Sequence, residues 1–160
     1  MNQNKKFALA GGGYCLYAPR FPRFQHAPGF ADEAAIGNAL VPSVFFLAVL
    51  EGRQALTLQC KQVEMDHGKA VLTYEDGNGL KLTERRFLSQ DDRFVSELEF
   101  HNTSKNEREV TVVMWTTTDP EGEPVSLEGD SFRIRGERFE WINPYDEPAV
   151  AIWVIAPPVY

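Results

Sequence analysis

Alternating apolar and polar residues run through the middle of the chain. Lys69–Glu75 (KAVLTYE) and Leu80–Leu88 (LKLTERRFL) are joined by Asp76–Gly79 (DGNG), a sequence that accepts the positive φ angles of tight hairpin turns. Arg93–His101 and Arg108–Thr118 repeat the alternation. These four segments predict a meander of consecutive antiparallel strands.

The period of two also assigns side chains to faces. Leu80 and Leu82 share a face with Glu84 and Arg86, whereas the strand at 108–118 is apolar on both faces. A strand that is apolar on both faces is typical of the centre of a sheet. We therefore expect the strand at 108–118 to be central, and we interpret the arginines at 85 and 86 as solvated or ion-paired.

Other segments of the chain read as strands as well. They are rich in β-branched and aromatic residues and are separated by turns that contain Gly, Pro and Asp. The predicted strands are Ser43–Leu50, Gln54–Cys60, Gln62–Asp66, Ser131–Arg135, Arg138–Trp141 and Ala149–Ile155. About ten short strands with little helix indicate an all-β fold, an antiparallel β-sandwich. We expect one domain that covers residues 1–160.

Residues 1–42 differ from the rest in their Pro and aromatic content. We expect an irregular N-terminal segment that packs on the sandwich. Within it, Gly11–Gly13 reads as a flexible entry to a strand at Gly13–Tyr17. Asp32–Leu40 predicts a short helical turn, or alternatively a loop across one end of the sandwich.

The net charge of the chain and the lengths of its apolar segments argue against several classes of function. A net charge of −7 argues against nucleic-acid binding, which needs clustered Lys and Arg. The longest apolar stretch, Val44–Leu50, is too short to cross a membrane as a helix, and the N-terminal apolar run is too short for a signal peptide. We therefore expect a cytoplasmic protein with no membrane partner. Cys15 and Cys60 are expected to be buried free thiols, with a single bridge as the alternative.

Candidate chemistry is sparse. The three histidines, His26, His67 and His101, lack the spacing of a metal site, and no cofactor motif is present, so we predict neither metal nor cofactor. The acidic turns at 119–123 and 145–147 are expected to be solvated, so no catalytic residue is assigned.

Three residues remain as candidates for carbohydrate binding. Trp141 and Tyr145 flank an Asn-Pro turn, where exposed rings can stack on the apolar face of a sugar. His26 lies in the Pro-rich loop and is the best polar candidate for contact with a ligand. The competing interpretation of each aromatic residue is a role in packing.

The segment from Leu80 to Thr118 also carries a family resemblance. An arginine-bearing strand (LTERRFLS) leads through an acidic turn into RFVSELEFHNTS and then into the β-branched strand EVTVVMWTTTD. This order resembles the N-terminal β-sandwich, or supersandwich, that precedes the (α/α)6 barrel in glycogen-debranching-like, glucoamylase-like and cellobiose-phosphorylase-like enzymes. The resemblance covers about a quarter of the chain, and the aldose-mutarotase superfamily shares the same sandwich.

The resemblance implies a role without assigning a catalytic residue. In such enzymes the barrel carries the catalytic carboxylates, so this chain is expected to be a non-catalytic domain of a carbohydrate-active protein related to α-glucans. The alternative is a stand-alone carbohydrate-binding or protein-interaction module, and a weaker one is a small sugar-epimerase-like enzyme. Partners would be carbohydrate or a downstream catalytic domain. A second copy of the chain is a further candidate, because the final strand is apolar on both faces and needs cover.

Overall fold

The computed structural model describes residues 8–19, 25–41, 43–66, 68–116, 126–128, 131–134, 137–140 and 151–155. These parts of the chain consist of strands and turns and contain no α-helix, which confirms the predicted all-β class. Within the same ranges no helix is long and apolar enough to cross a bilayer.

In chain order the strands are β1 Leu9–Ala10, β2 Cys15–Tyr17, β3 Gly29–Phe30, β4 Ala34–Ile36, β5 Ala39–Val41, β6 Phe45–Glu51, β7 Gln54–Ala55, β8 Gln59–Asp66, β9 Lys69–Glu75, β10 Leu80–Leu88, β11 Phe94–Asn102, β12 Val110–Thr116, β13 Ser126–Glu128, β14 Ser131–Ile134, β15 Glu137–Glu140 and β16 Ala151–Ile155.

Strands β8 to β11 form a four-stranded antiparallel sheet, which we call the meander sheet. The predicted hairpin of β9 and β10 is confirmed, and its turn is closed by Asp76, whose Oδ1 accepts hydrogen bonds from the backbone N–H groups of Asn78 and Leu80. Gly77 and Gly79 have φ angles of 81° and 94°, as a turn of this kind requires. The meander was predicted to end with the strand at 108–118, and this was wrong, because β8 takes the fourth place.

Strand β12 belongs instead to a second sheet with the order β16-β12-β6-β3, which we call the mixed sheet. Strand β12 pairs antiparallel with β6 and parallel with β16, so its predicted central position is confirmed. The single strand expected at Gln54–Cys60 is two elements. Gln54–Ala55 turns back onto β6, and the chain then crosses to the meander sheet at Gln59.

Residues predicted to be irregular form a third sheet of order β1-β2-β4-β5, the N-terminal sheet. The helical turn expected at Asp32–Leu40 was wrong, because Gly37 takes a φ of 58° and folds this segment into the β4–β5 hairpin. The glycines at 11–13 form the turn between β1 and β2 and lead into β2, which is the strand predicted at Gly13–Tyr17. A Cβ at Gly12 would clash with the carbonyl oxygen of Gln90, so this turn packs tightly against the turn between β10 and β11.

The core lies between the meander sheet and the other two sheets. Leu9 and Tyr17 of the N-terminal sheet and Val49 of the mixed sheet are buried in one cluster with Leu72 and Leu82 of the meander sheet. A smaller cluster joins residues 47, 112 and 114 of the mixed sheet to half-buried residues of β11. The fold is therefore a β-sandwich in which nearly all of the described strand pairs are antiparallel, as predicted, and β12 with β16 is the parallel exception.

Three further features belong to the fold. Phe30 lies at the centre of the aromatic packing, with its ring in edge-to-face contact with the rings of Tyr17, Phe45 and Phe94 at 4.9 to 5.5 Å. Cys15 and Cys60 form no disulfide, as predicted, and Cys15 is buried, but Cys60 is half-buried and its predicted burial was wrong. Strands β13, β14 and β15 form a small antiparallel sheet of their own.

Candidate functional site

The three residues proposed for carbohydrate binding are not brought together by the part of the chain that the structure describes. His26 is exposed in the loop that leads to β3. Trp141 and Tyr145 lie outside the described residues. His26 is therefore the residue around which a site can be built from contacts.

A buried ion pair in the core binds the backbone of the loop that carries His26. Glu84 and Arg86 project from the core face of β10, and both side chains are 0% exposed. Glu84 Oε2 lies 2.7 Å from Nη2 of Arg86. The same Nη2 donates to the carbonyl oxygen of Ala27 at 2.7 Å, so the pair reaches the loop directly next to His26.

Both side chains of this pair make further hydrogen bonds in the loop or in the core. Glu84 Oε1 accepts hydrogen bonds from the N–H of Gly29 at 2.6 Å and from the hydroxyl of Ser96 at 2.7 Å. Arg86 Nη2 also donates to the hydroxyl of Tyr74 at 2.6 Å. A carboxylate and a guanidinium can be buried only when they are paired and hydrogen-bonded in this way. We call the pair with Tyr74 and Ser96 the loop anchor.

The backbone of the loop can pack on β6 and bind this anchor because residue 29 is a glycine. Gly29 has a φ of 92°, and a Cβ at this position would lie 2.9 Å from both the carbonyl oxygen of Phe45 and the Cα of Phe46. A residue with a side chain would therefore push the loop off β6 and away from Glu84. The carbonyl oxygen of Pro28 adds another fixed point, since it accepts a hydrogen bond from the N–H of Leu47 at 2.9 Å.

Two tyrosines share the environment of the anchor. Burial raises the pKa of Tyr17 to about 12, although the positive charge of Arg86 acts in the opposite direction. Burial likewise raises the pKa of Tyr74 above its ordinary value. Burial opposes the charge of Arg86, but the charge and hydrogen bond of Glu84 together with the two tyrosines outweigh it and raise the pKa of the guanidinium. The anchor is therefore a fixed pair of charges with two neutral phenols beside it.

A second polar cluster lies at one end of the sandwich. Arg108 makes two hydrogen bonds, at 2.8 and 2.9 Å, to the carboxylate of Glu51, and its Nη1 lies 2.8 Å from Oδ2 of Asp76. Burial opposes the charged form of Asp76, but the two backbone N–H groups of its turn and Arg108 outweigh this and lower the pKa of the carboxyl. The cluster borders an open depression of about 310 Å³, lined by Glu51, Asn78, Ser104, Asn106, Glu107 and Arg108.

The chemistry available at these positions is recognition by hydrogen bonds. Among the described side chains, no three His, Cys, Asp or Glu residues converge closely enough to hold a metal ion. The depression offers amide, hydroxyl and carboxylate groups, of which Glu51 has 41% of its side chain exposed. Groups of this kind bind neutral polar molecules such as sugars through their hydroxyls.

Sequence reasoning missed the loop anchor and the Arg108 cluster. It placed Glu84 and Arg86 on the same face as Leu80 and Leu82, and two opposite charges two residues apart on an apolar face indicate a buried ion pair. Of the two interpretations of Arg86, ion pairing is confirmed and solvation was wrong. No local signal linked Arg108 to Glu51 and Asp76, because both partners lie far from it in the sequence.

Comparisons of the chain with protein-family models, with curated proteins and with solved structures give no significant match, so its function is argued from its own residues.

Proposed function

We propose that the chain is a supersandwich-type domain of a carbohydrate-active, glycoside-hydrolase-like protein related to α-glucans, in which another domain carries out catalysis. The segment that carries the resemblance, Leu80–Thr118, includes β10, β11 and β12. Strands β10 and β11 pair over nine consecutive residues, and β12 then crosses to the opposite layer. The resembling segment thus contributes to both layers of the sandwich, as a scaffold segment would.

The observation that carries the proposal is the state of the loop anchor. Glu84, Arg86 and Tyr74 are the kinds of side chain that enzymes use, and all three are buried in the core. An ion pair and hydrogen bonds join them to each other and to the backbone of the loop. Their positions serve to hold a surface loop in place. An architectural use of these groups favours a scaffold role over a catalytic one.

The experiment that tests this proposal begins with the native gene product. An antibody against the isolated chain would recover it from source cells, and its intact mass and its hydrolysis or phosphorolysis of soluble α-glucans would be measured. We expect a mass well above 18.1 kDa together with activity that the isolated chain lacks. A native product of the mass of this chain, or one without activity on any α-glucan, would contradict the proposal.

The second candidate function is a carbohydrate-binding module, and the exposed His26 on an anchored loop favours it. A loop whose backbone is already fixed loses little conformational entropy when a ligand binds. The aromatic candidates Trp141 and Tyr145 belong to the same proposal, and the polar depression beside Glu51 offers another place for sugar hydroxyls.

This candidate is tested by titration of malto-oligosaccharides against the tryptophan fluorescence of the isolated chain. We expect His26→Ala and Trp141→Ala to weaken binding, and the matched change His101→Ala, at an exposed position on β11, to leave it unchanged. If no oligosaccharide changes the fluorescence, or if all three variants bind as the parent does, the binding function is refuted.

A further inference from the structure

The outer face of the N-terminal sheet carries a row of aliphatic side chains. The register places Ala10 opposite Leu16, Leu16 opposite Ala35, and Ala35 opposite Leu40, so the four residues cross all four strands side by side. Leu16 is 42% exposed and Leu40 is 69% exposed. We call this set the aliphatic row.

An aliphatic row on the solvent side of an antiparallel sheet is unusual. Such a sheet normally has one face in the core and a polar face in water. Here the opposite face, with Leu9, Tyr17 and Ala34, is already buried in the core. The ring of Tyr14 extends the apolar surface at one end, because it lies over Gly37 and remains 62% exposed.

The order of side-chain sizes along the row is self-complementary. The row reads small, large, small, large, from Ala10 through Leu16 and Ala35 to Leu40. A two-fold axis parallel to the strands and midway between β2 and β4 reverses this order in a second copy placed face to face. Leu16 then meets Ala35 of the second copy, and Leu40 meets its Ala10. Each leucine fills the space above an alanine, as in the packing of two sheets.

The charge of the molecule points to the same surface. Two copies that each carry a net charge of −7 repel one another, so they approach most easily where the contacting side chains are uncharged. The four members of the aliphatic row are all uncharged. We propose that the outer face of the N-terminal sheet binds a second copy of this chain through the aliphatic row.

The size of the row sets the strength of this association. Four strands spaced about 4.8 Å apart make the row about 14 Å wide, so each copy contributes on the order of 300 Å². Specific stable interfaces bury about 1,600 Å² in total, and this one is well below that value. The dimer is therefore weak and concentration-dependent. It is independent of the proposed carbohydrate role, because neither His26 nor the loop anchor takes part in it.

Sedimentation equilibrium over a wide range of protein concentration tests the proposal. We expect the wild-type chain to move from monomer to dimer and Leu40→Lys to weaken the dimer at least about tenfold, because each dimer loses two buried leucines and gains two charges. The matched control is Met65→Lys on β8, a position that is 48% exposed on another sheet, and it should dimerise as the wild type does.

A size-exchange pair tests the register itself. Ala35→Leu alone should weaken the dimer, because two leucines would then compete for one space. Adding Leu16→Ala again places one large and one small residue opposite each other across the interface, and it should return the dissociation constant to within a few fold of the wild-type value. A chain that stays monomeric at every concentration would overturn the proposal. Equal effects of Leu40→Lys and Met65→Lys, or a double variant weaker than Ala35→Leu, would overturn it as well.

Discussion

Replacing Arg86 by methionine removes the cation of the loop anchor while keeping most of its apolar bulk. Glu84 would remain 0% exposed without its partner at 2.7 Å, and the carbonyl oxygen of Ala27 would lose its 2.7 Å hydrogen bond. Breaking a buried ion pair from one side costs about 3–5 kcal/mol, because an uncompensated charge is left behind. Since small domains are stable by only about 5–15 kcal/mol, this is a large fraction of the total.

The neighbouring arginine provides a matched control. Arg85 lies 3.0 Å from Glu99, but the two side chains are 39% and 64% exposed, and surface pairs of this kind contribute about 0–1 kcal/mol. Urea unfolding followed by tryptophan fluorescence would compare Arg86→Met with Arg85→Met. With a slope of about 2 kcal/mol per molar urea, the Arg86 variant should unfold about 2 M earlier.

A second variant keeps the test informative if Arg86→Met fails to fold. Glu84→Gln combined with Arg86→Met removes the buried charge, while the amide oxygen still accepts hydrogen bonds from Gly29 and Ser96. This double variant should be more stable than Arg86→Met alone. Equal stabilities of the Arg85 and Arg86 variants, or a double variant less stable than the single one, would refute the assignment of the anchor.

Two further predictions concern the surroundings of the anchor. Gly29→Ala should lower the free energy of unfolding by at least about 1 kcal/mol more than Gly52→Ala does. Both glycines have positive φ, but only at Gly29 do Phe45 and Phe46 already occupy the space that a Cβ would need. Equal losses of stability in thermal unfolding would contradict this. Tyr17→Phe should change stability by less than about 1 kcal/mol at pH 7, since its hydroxyl has no hydrogen-bond partner among the described atoms. Because the pKa of Tyr17 is raised to about 12, the unfolded chain ionises first, and wild-type stability should fall as the pH rises from about 10 towards 12. Urea unfolding between about pH 8 and about pH 12 should show a shallower fall for Tyr17→Phe, and identical pH profiles would rule this out.

Local signals in the sequence accounted for a definite part of the fold. The β9–β10 hairpin was predicted because its turn residues and its alternation both act over a few residues. The central place of β12 followed from its apolar character on both faces. In contrast, no local property of β12 shows that it leaves the meander, since its pairing with β6 depends on how the two layers close.

The errors near the N-terminus have a related cause. The segment at 32–40 contains alanines and an acidic start that suit a helical turn, but Gly37 at positive φ and the pairing of β4 with β2 make it a hairpin. Tertiary pairing here overrides a weak local preference. The anchor was within reach of sequence reasoning through the shared face of Glu84 and Arg86. Its contacts with the carbonyl oxygen of Ala27 and the N–H of Gly29 could not be predicted. Backbone groups of this kind are present in nearly every residue, so the sequence does not indicate which of them the anchor binds.

The crossing of β12 into the mixed sheet also determines the order in which the chain can complete its pairs. Strands β8 to β11 are neighbours in sequence, so their hairpins can close early and at low entropic cost. Strand β6 (FFLAVLE) is made before them but finds its main partner only when residues 110–116 have left the ribosome. Until then an apolar strand has an open edge and is at risk of aggregation during synthesis. Any shortened version of this protein that is intended to stay soluble should therefore extend through Thr116.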